Sequence, residues 1–113
     1  MVAGGENDQD LSKVEAFDGT SWHNLPDLPS SITNHCMVTV NEKVLLLIGG
    51  WTGQSTTSKT YFFNSEKNEW SPGPDLSTPR SSFACATVNW KNPSGGQSEN
   101  VVVAAGGKNK GYI

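Results

Sequence analysis

Val44-Leu45-Leu46-Leu47-Ile48-Gly49-Gly50 holds the strongest strand signal in the chain. Five consecutive apolar residues closed by two glycines read as a strand buried on both faces rather than one that alternates between core and water. The glycines have a backbone reason to be there: two residues without Cβ at a strand end permit positive φ and close approach of a neighbouring chain segment. A phosphate cradle is excluded, because the pair does not continue into the spacing of a dinucleotide or P-loop motif.

The unit recurs along the chain. Glycine pairs stand at Gly4-Gly5, Gly49-Gly50 and Gly106-Gly107, Trp22 and Trp70 lie 48 residues apart, and Asp27 and Asp75 keep the same offset. Met37-Val38-Thr39-Val40 aligns with Cys85-Ala86-Thr87-Val88, again 48 residues on. The next glycine pair comes 57 residues on, because Asn41–Lys43 becomes the longer run Asn89–Asn100, which reads as an inserted polar loop containing Pro93, Gly95 and Gly96.

Each unit predicts four strands in a meander. Cys36–Val40 alternates, Val44–Ile48 is continuously apolar, Thr60–Phe63 is β-branched and aromatic, and a short strand surrounds Trp70 before prolines stop it. Four strands in about 50 residues is the arithmetic of a propeller blade. Recurrence of Trp22 and Trp70 at equivalent places assigns both to the core.

Composition narrows the function classes. A net charge of −3 offers no electrostatic footprint for nucleic acid. The longest apolar run is the five residues from Val44 to Ile48, against about 20 for a membrane-spanning helix. Cys36 and Cys85 sit inside apolar strand patterns and read as small buried hydrophobes, which, with no secretory signal at the N-terminus, favours a reducing, cytoplasmic setting.

Leu47-Ile48-Gly49-Gly50, Tyr61-Phe62-Phe63-Asn64, Trp70, Asp75-Leu76 and Thr78-Pro79-Arg80 together resemble a kelch repeat. That family shows a double glycine after the second strand, an aromatic followed by an acidic or amide residue in the third, and a tryptophan shortly after. Phe17-Asp18 with Trp22 and Phe63-Asn64 with Trp70 fill those places. The resemblance implies an all-β fold of antiparallel four-stranded blades of a kelch β-propeller, incomplete at about two and a half blades. The divisions expected are a partial blade over residues 1–33 (strands two to four), a complete blade over 34–80, and a partial blade over 81–113 with the inserted loop 89–100. The remaining blades of a parent protein are expected as partners, since each blade buries its faces only against neighbours.

In such a meander the loops joining strands two and three lie beside the loops joining blades. That geometry selects Trp51, Gln54, Ser55 and Thr57 after one glycine pair, Lys108 and Asn109 after another, and Asn34, Thr78 and Arg80 at blade junctions. By similarity to kelch propellers this face contacts a protein or peptide. Trp51, an aromatic directly after a strand-ending glycine pair, reads either as a rigid interface anchor or as packing on its own blade, and Arg80 either as a planar donor toward an acidic partner or as a tie between adjacent blades. The contexts implied are substrate recruitment for ubiquitin ligases and actin binding. No cofactor, metal or catalytic residue is expected, as His23 and His35 lack ligand spacing and the serines cluster in turns. The competing reading is a fragment of a propeller enzyme whose active site lies outside this chain.

Overall fold

The computed structural model describes residues 2–4, 12–91, 95 and 98–109. Gly5, Pro93 and Gly96, named above, lie outside them. The described residues form only strands, turns and irregular segments, with no helix. In chain order the strands are β1 (Val2–Ala3), β2 (Val14–Phe17), β3 (Trp22–Leu25), β4 (Cys36–Asn41), β5 (Val44–Ile48), β6 (Thr60–Asn64), β7 (Glu69–Pro72), β8 (Ala84–Lys91) and β9 (Ser98–Ala105). They make three antiparallel meanders, β1-β2-β3, β4-β5-β6-β7 and β8-β9. Pro72 sits on the outer edge strand of its sheet, where a missing N–H costs least.

Register fixes which side chains share a face of the central sheet. Met37 pairs with Leu47 and Leu47 with Tyr61, while Cys36 pairs with Ile48 and Ile48 with Thr60. Successive residues point to opposite faces, so these two rows look toward different neighbours. The Met37, Leu47 and Tyr61 row, with Trp70, packs on Val14, Leu25, Leu28 and Ile32 of the first sheet and its connection. Leu47 is fully buried there, and Leu46 and Ile48 are buried on the other side, as the unbroken apolar run requires.

The glycine pair works as its backbone suggests. Gly49 and Gly50 both have positive φ, 59° and 110°. A Cβ on Gly49 would lie 2.7 Å from the Arg80 carbonyl oxygen, and one on Gly50 would lie 2.7 Å from that of Thr33. The pair thus turns the chain where two strand-connecting segments come closest.

Three expectations need correction. Asn89–Asn100 is not all loop: β8 and β9 stay paired out to Asn89↔Asn100, Trp90↔Glu99 and Lys91↔Ser98. Polar composition concealed a hairpin extension, because a ladder between two strands needs backbone pairing and not apolar side chains. Trp22 is 53% exposed, with its ring 5.2 Å from that of Phe17, which is 51% exposed. Its counterpart Trp70 is covered because the first sheet lies against it, and Nε1 donates to the Pro26 carbonyl at 3.0 Å; Trp22 occupies the side of the first sheet turned away from the second.

Cys36 and Cys85 form a disulfide between β4 and β8, with Cα atoms 6.2 Å apart, instead of acting as separate small hydrophobes. Each is half-buried. The reason lies in the pairing rows above: Cys36 is on the face of its sheet turned toward the third sheet, and Cys85 occupies the place of Met37, which faces back toward the preceding sheet. The two sulfurs therefore meet in the boundary between sheets.

Candidate functional site

One rim of the molecule is built from the segments that follow the glycine pairs and from the connections between sheets. Gly49 N donates to Lys59 O at 3.0 Å, closing the end of the β5–β6 ladder. Beyond it Trp51 leaves the sheet and pairs with Thr33, N to O at 2.7 Å and O from N at 2.9 Å. Thr52 N donates to Ser55 O at 3.0 Å and Thr57 N to Gly50 O at 2.9 Å, so residues 51–57 form a compact hydrogen-bonded loop.

The same device recurs one unit later. Ser81 and Lys108 exchange both backbone hydrogen bonds at 2.8 Å, as Thr33 and Trp51 do. Asn34 and Ser82 have nearly identical left-handed φ values of 54° and 53°, and Ser82 N donates to Asn34 O at 2.9 Å. Gly50 N donates to Arg80 O at 2.9 Å, and Thr56 Oγ1 donates to Asn109 Oδ1 at 2.8 Å. Loop, junction and next loop are therefore joined by direct hydrogen bonds into one surface.

Every residue chosen from sequence lies in these segments. Gln54, Ser55, Asn34, Lys108 and Asn109 are exposed, while Trp51, Thr57 and Arg80 are half-buried. Arg80 is partly committed to the fold, since Nη1 donates to Gly106 O at 3.1 Å while its buried Nε has no hydrogen-bond partner. The residues that tie the rim together were not chosen: Thr33, Thr56 and Ser81 are all buried. A signal for two of them was present, since Thr33 and Ser81 are small hydroxyl residues one 48-residue offset apart, immediately before strand one of successive units. What the rim offers chemically is an indole, amides, hydroxyls and an ammonium group, a set suited to hydrogen bonding and aromatic contact with a peptide.

The opposite rim has a different character. Asp18 Oδ1 accepts from the N–H groups of Thr20 and Ser21, and Asn64 Oδ1 accepts from those of Glu66 and Lys67. These are side chains closing the turn between strands three and four, which explains why an acid or amide follows the aromatic in each unit. Hydrogen bonds from Ser21 N–H, then from His23, then from Thr20 N–H hold the Asp18 carboxyl below its ordinary value. His23 lies on the edge strand β3, 2.5 Å from Asp18 Oδ2. Among the described residues no group of three or more His, Cys, Asp or Glu side chains is placed to hold a metal ion, and no helix is long and apolar enough to cross a membrane.

Comparison with known proteins agrees with this geometry. Residues 32–77 match the model of the Kelch motif, a span that opens at the buried Ile32, contains the whole β4–β7 sheet and closes after Leu76. The chain is also similar to the spermatocyte protein spe-26 of Caenorhabditis elegans, 33% identical over 105 residues, which is 88% of this chain. It spans 18% of that relative's length. With the motif matched over residues 32–77, the strand order and register those of a four-stranded meander, and the glycine pair ending its second strand, the β4–β7 unit is a kelch motif, and the all-β chain is consistent with part of a kelch propeller.

Proposed function

We propose that this chain is part of a protein-interaction module that recognises a protein or peptide partner through the rim carrying Trp51, Gln54, Ser55, Thr57, Asn34, Arg80, Lys108 and Asn109. The observation that supports it most is continuity: two consecutive glycine-pair loops and the junction between them are hydrogen-bonded to each other, yet leave polar side chains exposed. Such a surface is pre-organised, so a partner meets little ordering cost on docking. Trp51 supplies the aromatic anchor at its centre, and the donors of Arg80 and Lys108 favour an acidic or carbonyl-rich segment.

The finer reading is that the module works in the cytoplasm, either recruiting a substrate to a ubiquitin ligase or engaging actin. Co-sedimentation with actin filaments and co-precipitation of a cullin separate these two roles. The site itself is tested by placing a photo-reactive phenylalanine analogue at Gln54 on one rim and at Lys67 on the other, within the parent-length protein. Partner adducts from position 54 and none from 67 support the reading. Adducts from 67 alone would move the interface to the turn rim.

A further inference from the structure

We propose that Cys36 and Cys85 form a reversible thiol–disulfide site, closed by a low-molecular-weight disulfide such as oxidised glutathione, which sets how firmly the second and third sheets are held together. The strand repeat is 48 residues, whereas the cysteines are 49 apart. An odd remainder on strands whose side chains alternate places the two on facing sides of neighbouring sheets. Their Cα separation of 6.2 Å is within the reach of a disulfide, and both residues are half-buried, so small reagents can approach them.

The tie sits where apolar packing is thin. Between the first and second sheets stand Val14, Leu28, Ile32 and Leu47, all buried against one another. At the corresponding places of the next boundary are Thr60, Leu76, Arg80 and Ala104, around a cavity of about 330 Å³ also lined by Leu46, Ile48 and Val102. Besides the disulfide and the apolar side chains of Leu46 and Ile48, hydrogen bonds cross this boundary: Thr87 Oγ1 to Thr39 O at 2.6 Å, Ser82 N to Asn34 O, and Thr56 Oγ1 to Asn109 Oδ1. Bonds of this kind are individually modest and open locally when nothing restrains the elements they join.

The chemistry balances with glutathione alone. One cysteine thiolate attacks a sulfur of glutathione disulfide, breaking its S–S bond and expelling a glutathione thiolate. The second cysteine thiolate then attacks the protein sulfur of the mixed disulfide and expels the other glutathione. The protein loses two electrons and two protons, which reside at the end on two glutathione thiols. The reverse sequence opens the tie.

The clasp does not depend on what the rim binds, and its test needs no partner. The full chain is equilibrated in glutathione buffers running from reduced to oxidised, alkylated and weighed, while amide hydrogen exchange is followed in parallel. The expected result is a reversible change from two alkylated cysteines to none within one chain. Exchange at Ser82 and Lys108 should slow by about tenfold or more in the oxidised form, with Leu46–Ile48 unchanged as an internal reference. The Cys36→Ser, Cys85→Ser variant should exchange like the reduced protein in every buffer. Full alkylation in oxidised glutathione, bonds formed between chains, identical exchange in both states, or loss of protection through Leu46–Ile48 on reduction would each overturn the proposal.

Discussion

Replacing Gly50 by alanine adds one methyl group at the place where the second strand of the central sheet hands over to the rim loop. Its φ of 110° lies outside the region that residues with a Cβ adopt readily, a cost of about 1–3 kcal/mol. The new Cβ would also stand 2.7 Å from Thr33 O, 2.8 Å from Ile32 Cγ1 and 3.0 Å from His35 Cβ. Thr33 cannot retreat freely, because Trp51 N donates to that same carbonyl oxygen at 2.7 Å. Overpacking of this kind costs about 1–3 kcal/mol. The alanine restricts the unfolded chain and returns up to about 1 kcal/mol, leaving a net loss of about 1–6 kcal/mol.

Urea unfolding followed by tryptophan fluorescence measures this loss; at the middle of that range, and with a slope of about 1–3 kcal/mol per molar, the midpoint should fall by about 1 M or more. Gly19→Ala is the matched control, since its φ is 99° but a Cβ there meets nothing within 4 Å. Only the conformational cost should remain in that variant. Equal midpoints for the two variants, or a Gly50→Ala midpoint indistinguishable from wild type, would refute the reasoning that close approach demands the glycine.

Leu47→Ala removes a side chain with no exposed surface from the boundary of the first two sheets, and should cost about 2–5 kcal/mol in the same unfolding assay. Trp70→Phe keeps an aromatic ring near Phe63 but loses the bond from Nε1 to Pro26 O, so a smaller loss of about 0.5–1.5 kcal/mol is expected; a neutral result would mean that the indole N–H holds nothing. Asp18 should titrate below 3.8, as read from its carboxyl carbon shift by NMR. Because its folded value lies below its unfolded one, its contribution to stability is present above about pH 3.8 and is lost as pH falls through the lower folded value. A midpoint at the ordinary value would show that the Ser21, His23 and Thr20 bonds do not form in solution.

Much of the fold is legible in short local patterns. Val44–Ile48 predicts a doubly buried strand and becomes β5 with the same bounds, because continuous apolar runs have few alternatives in a chain this rich in turn residues. The Trp51 loop and the Arg80 junction could be set on one rim because a meander returns alternate connections to the same side. What escapes local reading is relational. Trp22 and Trp70 look alike in sequence, and only the sheet lying against one of them separates half-buried from exposed. Asn89–Lys91 carries polar residues yet continues a ladder, since backbone pairing is indifferent to that composition. The disulfide is relational too: each cysteine alone reads as a small buried hydrophobe, and only with the sheets in place does a separation of 49 against a repeat of 48 turn the two toward each other.

The central claim is recognition of a protein partner through the rim that joins Trp51 to Asn109. Its most direct test is affinity capture with the parent-length protein, comparing wild type with a Trp51→Ala, Gln54→Ala variant on that rim and with Lys67→Ala on the opposite one. The account predicts a reproducible partner that Lys67→Ala retains and the double variant loses, with all three proteins equally folded by circular dichroism. Retention of the same partner by the folded double variant, or its loss on Lys67→Ala alone, would contradict it.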